Sequence, residues 1–227
     1  MRLMRMYGVR LIFLISLFLL SACTQKFKDS FSTVNESIKG LTDIELNEEE
    51  LKNFPYDSAY VRLNNGRKIL MVLALIEENK LNNYQRFKWV SADRYILITE
   101  NSRIIKSLGF KNNLIEISQK GNLNTSLPAP SVQDKEWSAY YDWMPDYRYH
   151  FSAEIDSKLI TKEVISLASW AIQTQHVEET IHFSGLKTKL TNHYWLNNSG
   201  KVVKSIQYLG PNMDKIEMSF VKDFLPK

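Results

Sequence analysis

The sequence predicts a mainly β protein, an antiparallel meander forming a sandwich or partly closed barrel, with a short N-terminal helical tether. Three observations carry that expectation. From Tyr56 onward, runs of β-branched and aromatic residues recur between short polar turns. Two of those turns, Asn64-Asn65-Gly66-Arg67 and Asn197-Asn198-Ser199-Gly200, have the Asn/Gly chemistry of tight hairpins. After residue 135 apolar and polar positions alternate strongly, at the period of a half-buried strand. About a dozen short strands at this spacing fit a sandwich or a barrel.

The N-terminus reads as an export signal. Arg2, Arg5 and Arg10 precede an apolar run from Leu11 to Leu20, about half of the ~20 residues that a spanning helix needs. Leu20-Ser21-Ala22-Cys23 then resembles the lipobox of bacterial lipoproteins, in which the Cys thiol receives a diacylglycerol and becomes the new N-terminus. Cys23 is the single cysteine and stands at the cleavage point, so removal of residues 1–22 and lipidation of Cys23 are expected. No internal disulfide is then available. Acyl chains contribute about 0.8 kcal/mol per buried CH₂, so two or three anchor a protein firmly to a membrane. The net charge of +4 includes the three signal arginines, which leaves the body near neutral. A neutral body argues against nucleic acid as a partner. The remaining length suits one large β domain or two small ones.

Residues 23–55 form the expected tether. Phe27, Phe31, Val34 and Ile38 fall at helical spacing, predicting a short amphipathic helix over Phe27–Lys39 that Gly40 ends. Glu48, Glu49 and Glu50 after Asn47 suit a second helical turn, and suit a solvated linker equally. Pro55 closes the segment.

The β domain, 56–227, follows. Ala59–Leu63 and Lys68–Ile76 flank the first turn, and the unbroken apolar run Ile69–Ile76 predicts a strand covered on both faces. Gln85–Val90, Arg94–Thr99 and Arg103–Ser107 come next, the last two joined by Glu100-Asn101-Ser102. Residues 119–135 are polar with Gly and Pro, and read as a long surface loop and the one seam at which the domain would divide. Beyond it, Trp137, Ala139, Tyr141 and Trp143 share one parity, and Tyr147, Tyr149, Phe151, Ala153 and Ile155 share another. Met144-Pro145-Asp146 turns between them, giving an aromatic hairpin. Thr161–Gln175 fits both periods, and strand is preferred over helix because β-branched and aromatic residues dominate. Val177–Phe183, Thr188–Leu196, Lys201–Leu209 and Lys215–Val221 complete the meander.

One block carries a family resemblance. It reads Trp89-Val90-Ser91-Ala92-Asp93, Ile98-Thr99, Ser102-Arg103-Ile104-Ile105-Lys106-Ser107-Leu108-Gly109 and Asn113-Leu114. This resembles the group 4 capsule polysaccharide lipoproteins of YjbF/GfcB type, with their Trp-x-Ser-Ala-Asp and Gly-Arg-Ile-x-Lys-Thr-x-Gly-Leu pattern. Leu73-Ala74, Tyr194-Trp195, Lys204-Ser205-x-Gln207 and Gly210-Pro211 agree with it. Ser102 and Ser107 depart from the usual Gly and Thr; at the hairpin tip, Asn101 is expected to take a positive φ. The resemblance implies a periplasm-facing lipoprotein encoded with capsule or exopolysaccharide export machinery. It implies no catalytic residue, cofactor or metal. Thr24 after Cys23, rather than Asp, is compatible with outer-membrane sorting.

Sugar C–H faces pack on aromatic rings, so the aromatic hairpin is the candidate contact surface. Aromatics at strand period are ordinarily core. Tyr140, Asp142, Arg148 and His150 lie on the parity opposite the main stripe, and with Trp143 they form the expected contact set for glycan or a partner protein. Trp89, Trp170 and Trp195 are assigned to packing. Of the four histidines, His176 and His182 share a strand face with Glu178, and His193 lies further on. Ligands spread along one strand converge poorly and no compact His or Cys spacing supports them, so no metal is expected. Asp93, Asp142, Asp146, Glu178 and Glu179 are the acidic candidates for a glycosidase pair. Asp93 more simply caps a turn, and no Gly-x-Ser-x-Gly elbow is present. The expected role is therefore a non-catalytic accessory factor, its partners the membrane and export proteins or polysaccharide. A glycan-binding module and a glycan-modifying enzyme are the alternatives.

Overall fold

The computed structural model describes residues 43–80, 84–121, 125–167 and 170–221. The signal segment, Cys23 and the helix expected over Phe27–Lys39 lie outside them. One short helix, α1 (Glu48–Asn53), precedes β1 (Ser58–Leu63), β2 (Lys68–Asn79), β3 (Tyr84–Ser91), β4 (Ile96–Glu100), β5 (Arg103–Leu108) and β6 (Asn113–Gln119). Then come β7 (Lys135–Met144), β8 (Arg148–Leu167), β9 (Trp170–Phe183), β10 (Thr188–Leu196), β11 (Val202–Tyr208) and β12 (Lys215–Phe220). All twelve belong to one antiparallel sheet in the order β5-β4-β3-β2-β1-β12-β11-β10-β9-β8-β7-β6. β1 pairs with β12, the first described strand with the last, and the sheet nearly closes into a barrel whose edges are β5 and β6.

Alternation fills the lumen. Trp137, Ala139, Tyr141 and Trp143 of β7 point in, as do Val177, Ile181 and Phe183 of β9 and Ile216, Met218 and Phe220 of β12. The tight turns form where expected, though at the first the left-handed residues are the two asparagines rather than Gly66, and at the second Ser102 joins Asn101. Asn64 and Asn65 have φ of 48° and 62°, and Asn101 and Ser102 have 49° and 64°. Two successive left-handed residues match the right-handed twist of the strands they join.

The gap between β5 and β6 is bridged by side chains. Ser107 Oγ accepts the Leu114 N–H at 2.9 Å. The connection from β6 to β7 then folds over the gap. Glu100 accepts the Leu127 N–H at 2.7 Å, Asn101 donates to the Leu127 carbonyl at 2.7 Å, and Leu127 itself is buried in the lumen core. The expected loop is shorter than 119–135, since β6 runs to Gln119 and β7 starts at Lys135, and its described part is not merely a surface one: it covers an edge that would otherwise be open to pairing. The loop joins strands that pair with each other, so both sides of the expected seam lie in one sheet.

Other differences have local causes. The expected strand over Thr161–Gln175 is strand, but it is two strands, since β8 runs to Leu167 and β9 starts at Trp170. β6 is hidden in the sequence by a bulge between Leu114 and Glu116, which spaces its inward residues Leu114 and Ile117 by three instead of two. Tyr147 and Tyr149 do not continue the parity of Phe151. Tyr147, 73% exposed, lies at φ 50° in the turn before β8, and Tyr149 is 52% exposed where His150 at φ 62° breaks the alternation beside a register shift between Tyr141 and Trp143. β2 is covered on both faces only from Ile69 to Val72; Leu75 and Ile76 are exposed. Ser91, rather than Asp93, caps the β3–β4 turn, its Oγ accepting the Tyr95 N–H at 3.1 Å, while Asp93 pairs with Arg67.

α1 settles the acidic run as helix. Asn47 and Glu50 form a reciprocal capping box, and the three glutamates face the positive end of the helix dipole. The segment before it lies along the outer wall: Ile44 N–H donates to the Lys68 carbonyl at 3.0 Å and Leu46 N–H to Tyr60 Oη at 2.7 Å.

Ser102 holds a left-handed conformation that costs an L-residue about 1–2 kcal/mol and glycine little. Part of the gain from glycine is offset by the freer unfolded chain, about 0.4–1 kcal/mol. Ser102→Gly is predicted to raise stability by roughly 0.5–1 kcal/mol in urea unfolding. An unchanged or lower midpoint would contradict this account of the turn.

Candidate functional site

The lumen is polar at one level. Arg103 on β5 and Glu179 on β9 are 4% and 0% exposed and face each other across the barrel interior. Arg103 Nη2 donates to Glu179 Oε1 at 2.6 Å, and Nη1 donates to Oε2. Such a fork-to-fork pair is among the strongest charge-assisted contacts. Further hydrogen bonds hold the pair. Arg103 Nε donates to the Pro128 carbonyl at 2.6 Å and Nη1 to Tyr194 Oη at 3.3 Å, and Ser157 Oγ donates to Glu179 at 2.8 Å. The Arg103 guanidinium carbon lies 4.8 Å from the centre of the Trp137 ring. Gln207 extends the network, accepting the Ile104 N–H at 2.9 Å and donating to the Ser102 carbonyl at 3.0 Å.

Electrostatics follow from this enclosure. Burial pushes the Glu179 carboxyl up, but the Arg103 charge and the hydrogen bonds from Arg103 and Ser157 outweigh it, so its pKa is lowered. Burial pushes the Tyr141 and Tyr194 phenols up, and both stay neutral. The pair is fully engaged, so it has no free acid or base to offer a substrate.

One end of the barrel opens into a cleft of about 520 Å³. Its apolar side is Phe87, Trp89 and Phe220, and Gln85, Asn101 and Lys201 add polar groups. Trp89 is fixed by donating its N–H to Thr99 Oγ1 at 3.0 Å. Volume and lining are of the kind that holds a ligand of a few rings. Sequence reasoning missed this cleft because its walls come from strands distant in the chain; Trp89 was assigned to packing, which its burial bears out, yet it also lines the cleft.

The expected contact set separates into two groups. Tyr140, Asp142 and His150 meet on the outer wall. Tyr140 and His150 stack at 3.7 Å and 18°, and Asp142 accepts the His150 N–H at 2.6 Å. Trp143 does not join them. It is a core residue, 5% exposed and 4.8 Å from Phe151, and only its edge, with Arg148, lines a 250 Å³ crevice at the other end of the barrel. Trp195, assigned to packing, is half-buried on the outer wall, where it stacks on His176. The acidic candidates do not gather: Glu179 is sealed in the lumen, Glu178 is on the outer wall, and Asp146 is at an exposed turn.

Comparison with known proteins places this architecture. The sequence model of "Group 4 capsule polysaccharide lipoprotein gfcB, YjbF" matches residues 31–221. The chain is 26% identical over 205 residues to the uncharacterized lipoprotein YjbF of Escherichia coli (strain K12), covering 90% of this chain and 93% of that one. It is 27% identical over 207 residues to the uncharacterized lipoprotein GfcB of the same organism, covering 89% and 93%. The crystal structure of the hypothetical lipoprotein YmcC from Escherichia coli (K12) superposes with a TM-score of 0.65 at 27% identity, covering 78% of this chain and 89% of that one. None of these descriptions indicates a catalytic function.

Removing one partner of a buried pair strands the other, at about 3–5 kcal/mol, whereas apolar replacement of both is often neutral. Arg103→Met is predicted to lose that much stability in urea unfolding, and Arg103→Met with Glu179→Met to recover most of it. Because the Glu179 pKa falls on folding, its contribution is complete above the ordinary value of 4.5 and is lost as pH drops below it, through the folded pKa. Wild type should therefore weaken below that pH more steeply than the double variant. Equal losses in the single and double variants would contradict the pairing.

Proposed function

Because the chain belongs to the group 4 capsule polysaccharide lipoprotein family, we propose that it is a non-catalytic accessory factor in capsule or exopolysaccharide assembly or export. Cys23 carries lipid that holds it at the outer membrane, with the barrel in the periplasm. The observation that carries this reading is the family match over residues 31–221, with the lipobox at Cys23 beside it. The site geometry supports a docking role over chemistry. The one carboxylate in the lumen network is neutralised by Arg103, and its neighbour Glu178 faces the opposite side of the sheet. A tethered body meets its partners at a high effective concentration, so even a weak binding surface is useful there.

A second reading, glycan binding, is favoured by the cleft at the barrel mouth, where Phe87 and Trp89 stand beside Gln85 and Asn101. Aromatic faces next to amide groups are a suitable surface for sugar rings.

Cys23→Ala is predicted to give a folded protein that leaves the membrane fraction and no longer supports surface polysaccharide. Normal polysaccharide display by that variant would sink the tethered role. Glycan binding is predicted to change the tryptophan fluorescence when the protein is titrated with its own cell's polymer, and Phe87→Ala is predicted to weaken that response. A flat signal up to millimolar sugar would remove the second reading.

A further inference from the structure

The outer wall of β8, β9 and β10 carries a cluster that the accessory role does not use. In the β9–β10 ladder His176 lies opposite Trp195 and Glu178 opposite His193. All four point outward, since their neighbours Val177, Glu179 and Tyr194 point into the lumen. His176 Nε2 and His193 Nδ1 are 3.1 Å apart, and Glu178 Oε1 is 3.4 Å from His193 Nδ1. One ligand atom from each of these three residues lies within 4.8 Å of the other two.

The surroundings hold the rings in place. The His176 imidazole lies parallel to the Trp195 indole, 4.6 Å away at 4°. Glu163 of β8 stands behind it, with Oε1 3.7 Å from His176 Nδ1, and accepts the Trp195 N–H at 2.7 Å. Glu163 is itself oriented, and it faces the imidazole nitrogen pointing away from His193. At 3.7 Å the two do not hydrogen-bond, but a carboxylate that closes that distance fixes the tautomer and orientation of a metal-bound histidine.

We propose that His176, Glu178 and His193 form a binding site for one divalent transition-metal ion of zinc(II) type. Two ligand nitrogens each ~2.0–2.1 Å from a tetrahedral ion are about 3.3 Å apart, close to the spacing already present between the two histidines. Two imidazoles and one carboxylate suit a borderline ion such as Zn²⁺ better than Ca²⁺ or Mg²⁺, which take oxygen ligands. Three protein ligands leave the fourth position to water or an incoming oxygen ligand. The sequence spacing hides the site because His182, the obvious companion of His176 on β9, lies apart from it. The third ligand comes from the neighbouring strand.

The test uses the purified full-length protein in detergent, stripped with a chelator and titrated with Zn²⁺ by calorimetry and with Co²⁺ by visible absorption. The expected result is saturable binding of one ion per chain and an intense tetrahedral Co²⁺ band. Binding should be lost in His176→Gln and His193→Gln, sharply weakened in Glu178→Gln and unchanged in His182→Gln. Glu163→Gln should weaken it about 10–100-fold. Circular dichroism and urea unfolding of the metal-free variants check that the barrel persists, and the partly exposed Glu178 provides a variant with little risk to folding. The absence of one-to-one binding, or its retention when both His176 and His193 are replaced, would overturn the site.

Discussion

The closed form of the sheet depends on a charge pair inside it. β5 and β6 are the only two edges of the described sheet, and neither hydrogen-bonds to the other as a ladder. Arg103 on β5 reaches through the lumen to Glu179 on β9 and also holds the Pro128 carbonyl of the loop that covers the gap. One guanidinium therefore ties an edge strand, a strand across the barrel and the covering loop to a single point. Gln207 and Ser107 add the second and third ties, to the backbone of β5 and of β6. The fork geometry of an arginine–carboxylate pair favours one arrangement of the strands it joins, because its planar donors accept one orientation.

This gives the residues of the family pattern a physical reading. Arg103 anchors the lumen, Ser107 bridges the open edge, and Ser205 and Gln207 complete the inner network. Ser91 caps a turn, and Trp89 holds β3 to β4 through Thr99. Gly109, at φ 87°, has the Arg94 carbonyl where a Cβ would stand, 2.9 Å away, so the turn into β6 leaves no room for a side chain. These residues close a container. Trp89 and Ser102 of the same pattern also line the cleft at the mouth, and Trp195 stacks on His176 on the outer wall.

How much could be read in advance follows from how local each feature is. The hairpins were legible because Asn-Asn-Gly-Arg and Asn-Asn-Ser-Gly state their turn chemistry within four residues, and the core of β7 because Trp137, Ala139, Tyr141 and Trp143 alternate without a break. β6 was not, since its bulge removes the period that would have revealed it. Parity placed Tyr140 and Asp142 outside and Trp143 in the core stripe, so Trp143 entered the contact set against its own parity, and the left-handed His150 has no signal in the pattern. The histidine cluster was illegible for a different reason. Its members converge through the register of β9 against β10, and register between strands is set by turns and burial, which no single stretch of sequence displays.

Hydrogen exchange of the Arg103→Lys protein tests the closure most directly, because lysine keeps the charge and loses the fork. If the pair holds the barrel shut, the amides of Ile104, Leu114 and Leu127 will exchange faster than in wild type while the β9–β10 ladder keeps its protection. Wild-type protection at those three amides, or an equal rise across the whole sheet, would contradict it.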